Sequence, residues 1–196
     1  MVLFFSVSMV KEGMSQSIRP TLVVGCQRSG TLITSKILAD YLDADHIDEF
    51  EFLPVGRGIN LINKLLDVGR TNLVIHCPAA LTAWRPIYDK IPNIRFIGVK
   101  RNPTDILESM KRIKWLQEDH KDDWEEFLQE QVKFMNNLWQ NLKQTMPTGD
   151  WREIEYENLQ DHPLFIKKEN RKDFFVKQWN LTDKEGPPYW TKDLKV

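Results

Sequence analysis

Cysteine is nearly absent from this chain: Cys26 and Cys77 are the only two among 196 residues. Two cannot make the disulfide framework of a small secreted fold, so free thiols in a reducing compartment are expected. An excess of one charge is missing too. A net charge of −1 lacks the basic surplus of a general nucleic-acid binder. The densest basic cluster, Lys167-Lys168 with Arg171-Lys172, reads as a solvated helix face. Long apolar runs are lacking as well. Residues 1–10 are apolar, but about ten residues fall short of the roughly twenty that span a bilayer. They carry no basic lead-in or small-residue cleavage site and read as an added strand or a loose tail. A cytoplasmic protein without nucleic-acid or membrane partners is therefore expected, with residues 1–19 as an N-terminal extension and 20–196 as one catalytic domain.

What is present is an alternation of apolar strands and amphipathic helices, without repeats or low-complexity tracts. Strands are expected at 22–24, 73–77, 94–99 and 153–156, separated by helical stretches. That pattern predicts an α/β, single-domain, three-layer sandwich with a central parallel sheet flanked by helices. Residues 123–144 carry Trp124, Phe127, Leu128, Met135, Leu138, Trp139 and Leu142 at helical spacing, closed by Pro147 and Gly149. This stripe reads as core.

Two segments carry chemistry. In the first, Thr21-Leu-Val-Val-Gly-Cys-Gln-Arg-Ser-Gly-Thr31 runs from a buried strand through a glycine-bounded turn into the helical segment 32–42. Such a junction aims backbone N–H groups and a positive helix end at one point, which suits a phosphate. Gly25-x4-Gly30-Thr31 has the spacing of a Walker A loop. Arg28 and Ser29 precede Gly30, however, and Leu32 stands where a hydroxyl would bind magnesium. Without the Walker lysine, ATP phosphoryl transfer is disfavoured and phosphate binding is not.

The second segment is Ile94-Arg-Phe-Ile-Gly-Val-Lys-Arg-Asn-Pro-Thr-Asp-Ile-Leu-Glu-Ser-Met110. A strand ends near Lys100, and Asn102-Pro103-Thr104-Asp105 is a helix start with an Asn cap, Pro at the first helical position and an acid in the first turn. Arg101 then stands at the strand's C-terminal edge with Ser109 two turns along the helix. There a guanidinium and a hydroxyl can share one anion.

Together these segments resemble the sulfotransferases that use 3′-phosphoadenosine 5′-phosphosulfate (PAPS). Gly25…Arg28-Ser29-Gly30-Thr31 matches that family's Gly-x-x-(Arg/Lys)-Ser-Gly-Thr-Thr loop, and Arg101-x7-Ser109 matches its Arg-x7-Ser, in the same order. Leu73-Val-Ile-His-Cys-Pro78 looks like its strand ending in His-x-Pro. Arg101-Asn-Pro-Thr-Asp105 and Glu155-Tyr-Glu-Asn-Leu159 match further motifs, so the likeness spans roughly residues 20–160. Leu32 departs from it by removing the second Thr hydroxyl.

The resemblance implies a P-loop NTPase-like fold with PAPS as donor and 3′-phosphoadenosine 5′-phosphate (PAP) as product. No obligatory metal is implied. Gln27, Arg28, Ser29, Gly30, Thr31 and Leu32 would line the 5′-phosphosulfate. Arg101 and Ser109 would hold the 3′-phosphate, with Lys184 and Gly186 faintly resembling the loop that closes over it. Arg28 would stabilise charge on the leaving oxygen. His76 leads as the base for the acceptor proton, because an imidazole titrates near neutral pH. Glu49 or Glu51, in the acidic run 48–51, is the alternative base. The acceptor, a small molecule or a glycan, stays unidentified. Its site has room to be completed by residues 1–19, by 52–72 or by a second subunit. A small-metabolite kinase and a non-catalytic PAP-binding protein are the competing readings.

Overall fold

The computed structural model describes residues 19–159, which fall within one compact unit. The chain runs β1 (Thr21–Gly25), α1 (Thr31–Leu42), β2 (Asp45–Ile47), α2 (Glu49–Phe52), α3 (Val55–Asp67), β3 (Leu73–His76), a 3₁₀ turn (Pro78–Ala83), and α4 (Trp84–Lys90). It continues through β4 (Arg95–Lys100), α5 (Pro103–Arg112), α6 (Trp124–Thr145), β5 (Trp151–Glu155) and a closing 3₁₀ turn (Tyr156–Leu159). Residues 1–18, the basic cluster at 167–172, Lys184 and Gly186 lie outside the described residues.

The five strands form one sheet in the order β2-β3-β1-β4-β5, and every pairing is parallel. All five residues of β1 are buried. A parallel strand covered on both faces needs such a continuous apolar run rather than an alternating one. Its register sets Val23 beside His76 of β3 and Gly25 beside Val99 of β4. The chain leaves β1 towards β3 on one side and later returns to β4 on the other. The strand order therefore reverses at the C-terminal end of β1, where ligands bind in open α/β sheets.

All four expected strands move slightly: β1 gains a residue at each end, as Thr21–Gly25. β3 stops at His76, β4 is shifted by one residue to Arg95–Lys100, and β5 starts at Trp151, which pairs with Phe96. β2 was not expected at all: a three-residue edge strand, Asp45-His-Ile, has no readable period. Asn72 holds it, donating through Nδ2 to the Leu42 and Asp43 carbonyls while its own carbonyl accepts from Asp45 N. α1 begins one residue early, at Thr31.

β4 and β5 are sealed from the outside by two indoles. Trp139 of α6 and Trp151 of β5 meet edge to face with centroids 5.2 Å apart, and a Cβ on Gly98 would fall on the ends of both rings. Asn102 caps α5 as the sequence implies, its Oδ1 accepting from Thr104 N at 2.9 Å, with Pro103 in the first turn. Caps of this kind contribute about 1 kcal/mol. They also fix where Arg101, one residue upstream, leaves the sheet.

Candidate functional site

At the C-terminal edge of β1 the chain turns within Cys26–Gly30, closed by Ser29 N donating to the Cys26 carbonyl at 3.0 Å. Arg28 and Gly30 both adopt left-handed backbone, with φ of 70° and 95°. Gly30 caps α1 without any side-chain hydrogen bond, so the first-turn N–H groups are left for something outside the helix. Ser29 is fully buried and its Oγ has no partner. A buried orphan hydroxyl in such a turn is what a bound anion would satisfy. A Cβ on Gly30 would run into the Tyr156 ring. Leu32 is 37% exposed at the loop's far side and contributes no polar group there.

Three arginines converge beside this loop. Ser109, 3% exposed in α5, accepts from Arg28 Nε and from Arg112 Nη2, each at 3.3 Å. Arg101 Nη1 donates to the Arg28 carbonyl at 2.9 Å, and its guanidinium stacks 4.4 Å from the Tyr156 ring centroid. Among the described residues no carboxylate pairs with any of the three, and Arg101 Nε is buried without a partner. Partial desolvation, followed by the Arg112 and Arg101 charges, lowers the Arg28 pKa from its ordinary value. The guanidinium stays charged regardless. Sequence reasoning assigned Arg28 and Ser109 to different phosphates. The structure brings them into contact and adds Arg112, whose only sequence signal is its position one helical turn beyond Ser109.

On the other side of the loop lies a hydroxyl, an imidazole and a carboxylate in line. His76, 7% exposed at the end of β3, places Nε2 3.1 Å from Thr31 Oγ1 and Nδ1 3.5 Å from Asp48 Oδ1. Asp48 Oδ1 also accepts from Glu49 N at 2.6 Å. Burial alone would raise the Asp48 pKa, but hydrogen bonding to and the charge of His76, with the Glu49 N–H, bring it below its ordinary value. An ionised carboxylate only accepts, so a neutral His76 carries its proton on Nδ1 and presents the Nε2 lone pair to Thr31. Asp48 was not singled out from sequence. Its signal was the Asp48-x-x-Glu51 capping box, here realised in full.

That capping box occupies one alternative base. Glu51 Oε2 accepts from Asp48 N at 2.9 Å, and burial raises its pKa. Glu49 instead faces the loop, its Oε1 accepting from Gln27 Nε2 at 3.4 Å.

A second histidine is set apart electrically. The Ser35 hydroxyl donates to the Leu32 carbonyl at 2.8 Å, so His46 Nε2, 2.9 Å from the same oxygen, must be the donor. Burial pulls His46 down to about 4 against the opposing charge of Asp48. An unfolded histidine titrates near 6.5, so the unfolded chain binds more protons between those values. Stability from this group is thus complete above about pH 6.5 and falls, by on the order of 2–3 kcal/mol, as pH drops towards 4. Urea unfolding at pH 7 and pH 4.5 should show that loss in the wild type and a smaller one in His46→Gln. Equal losses would remove His46 as the cause.

Cys26 and Cys77 are buried free thiols pushed up to about 12 by burial, which leaves almost no reactive thiolate at neutral pH. A cavity of about 290 Å³ lined by Arg19, Tyr88, Lys90 and Asp150 lies at the opposite, N-terminal end of the strands. Its carboxylate is occupied: Asp150 accepts from Arg19 Nη1 and from Tyr88 Oη, each at 2.7 Å. Among the described residues no helix is long and apolar enough to cross a membrane, and no cluster of three or more His, Cys, Asp or Glu is arranged to hold a metal ion.

A sequence profile described as "Sulfotransferase family" matches residues 42–165. No curated protein sequence matches the chain. Among solved structures, the sulfotransferase domain from the curacin biosynthetic pathway superposes with a TM-score of 0.53 at 15% identity, covering 82% of this chain and 75% of that one. A sulfotransferase from Alicyclobacillus acidocaldarius gives 0.53 at 14% identity, covering 84% and 93%. Shikimate kinase from Acinetobacter baumannii, in complex with shikimate, gives 0.50 at 15%, covering 87% and 96%. At such identities the likeness is one of fold.

Proposed function

This chain belongs to the sulfotransferase family, and from that premise we propose that it moves a sulfuryl group from PAPS to a hydroxyl or amine acceptor. The observation that carries the proposal is a cluster of three arginines beside the Cys26–Thr31 turn, unpaired with any carboxylate among the described residues: Arg28 and Arg112 on Ser109, and Arg101 on the Arg28 carbonyl. Three cations clustered in this way repel one another, and a polyanionic nucleotide offsets that cost.

The residues fit such a donor. The turn's N–H groups, Thr31 and the orphan Ser29 hydroxyl would hold its 5′ end, and Arg101 and Ser109 its 3′-phosphate. When bound, the donor supplies an activated sulfuryl group. Arg28 brings positive charge to the leaving side. His76 takes the acceptor's proton at Nε2, while Asp48 keeps that nitrogen unprotonated and stabilises the imidazolium that results. Residues 20–196 act as the catalytic domain, and the acceptor is a small molecule or a glycan.

A small-metabolite kinase is the competing reading, since a kinase shares the fold. A thermal-shift panel separates the two. Saturating PAP should raise the melting temperature by several degrees, as about 2.7 kcal/mol accrues at a hundredfold excess over Kd. Arg101→Ala should lose most of that gain while keeping the weaker response to adenosine 5′-phosphosulfate, which has no 3′-phosphate. Stabilisation by ATP with magnesium and none by PAP would sink the proposal.

A further inference from the structure

We infer that Arg112 is a second cationic ligand, besides Arg101, of the phosphate at Ser109, through which the chain selects nucleotides bearing a 3′-phosphate. The inference rests on the reading just given, but on different atoms. Arg112 ends α5, one turn after Ser109, so both side chains lie on one helical face. Its Nη2 donates to Ser109 Oγ at 3.3 Å, the same oxygen that Arg28 Nε reaches from the opposite side. One hydroxyl therefore lies between two guanidinium groups, with Arg101 as a third next to Arg28. A serine oxygen is a weak acceptor for two cations, whereas a phosphate dianion offers several charged oxygens.

Among the described residues nothing else claims Arg112. Among the described residues no carboxylate lies within ion-pair distance of it, although the neighbouring Lys111 is matched to Glu125 at 2.6 Å. Arg85 on α4, by contrast, is matched to Asp89 at 3.3 Å. Arg112 is an exposed residue that turns its fork back onto a buried hydroxyl. Its charge also contributes to lowering the Arg28 pKa, which is the field an incoming dianion would feel.

Calorimetric titration tests the inference with PAP and with adenosine 5′-monophosphate, which differ by the 3′-phosphate alone. Arg112→Ala should raise the PAP Kd about tenfold or more and leave that of adenosine 5′-monophosphate within about twofold. It should also flatten the salt dependence of PAP binding, because one fewer cation meets the ligand. Arg112→Lys should recover part of the affinity, showing that charge rather than helix packing is at stake. Arg85→Ala should change neither Kd.

An unchanged PAP Kd in Arg112→Ala, with Arg101→Ala still impaired, would overturn the role of Arg112 and leave the proposed function standing. Equal losses for both nucleotides would reassign Arg112 to general structure and overturn the inference too. Wild-type protein that binds adenosine 5′-monophosphate but gains nothing from the 3′-phosphate would instead overturn the function, and this inference with it.

Discussion

His76→Ala is expected to cut turnover about a hundredfold or more while leaving PAP affinity within a few-fold. The imidazole is held at both nitrogens, by Thr31 at Nε2 and Asp48 at Nδ1, so its lone pair is aimed without freedom to rotate. Truncation removes the proposed base and leaves the arginines around Ser109 untouched. Asp48→Asn should cost nearly as much by a different route. An amide can donate to Nδ1, which drives the proton to Nε2 and blocks the lone pair. Measured turnover with single-turnover controls, alongside PAP titration, separates the two effects. A healthy His76→Ala enzyme with an inactive Glu49→Gln would move the base to α2. A lowered melting temperature for ligand-free His76→Ala would mark the histidine as packing.

Gly30→Ala should be nearly as damaging and for a steric reason. The position has φ of 95°, which disfavours any L side chain by about 1–2 kcal/mol, and the new methyl group would fall on the Tyr156 ring. Tyr156 must then shift, and it carries the Arg101 guanidinium on its face. A combined loss of about 3 kcal/mol would lower the melting temperature by roughly 6–12 °C, with PAP affinity falling in step. Adding Tyr156→Ala should restore part of the stability by clearing the ring, without restoring PAP binding. A Gly30→Ala protein that melts normally would show that the loop relaxes freely.

The features most legible in the sequence are those that local chemistry alone dictates. An unbroken apolar run marks β1, the Asn102-Pro103 pair marks the start of α5, and the stripe from Trp124 to Leu142 marks α6, which runs as Trp124–Thr145. The parallel sheet follows from their alternation. β2 was invisible because an edge strand of three residues owes its pairing to Asn72 and to β3 rather than to its own pattern. Glu51 read as an alternative base and Asp48 went unremarked, since a capping box and an acidic run look alike until the helix after them is seen. The reach of Arg28 across to α5 has no sequence signal either. It depends on a left-handed residue within the turn and on the distance between two strand ends, both tertiary quantities.

The place of β1 in the sheet has a further consequence, for the order in which this protein can be built. The strand that leads into the Cys26–Gly30 turn is the first of the five among the described residues, yet it lies at the middle of the sheet, with Thr21 beside Val74 and Arg95. Neither neighbour has been synthesised when β1 leaves the ribosome. Leu22, Val23 and Val24, fully buried in the finished fold, must wait in water until β3 and then β4 arrive. With no local hairpin to hold it, such a strand forms only by closing long loops, which slows folding relative to helical proteins of this size. The nascent chain thus presents the apolar run of β1 ahead of both its sheet partners and buries it late, and a holding chaperone would bind there in the interval.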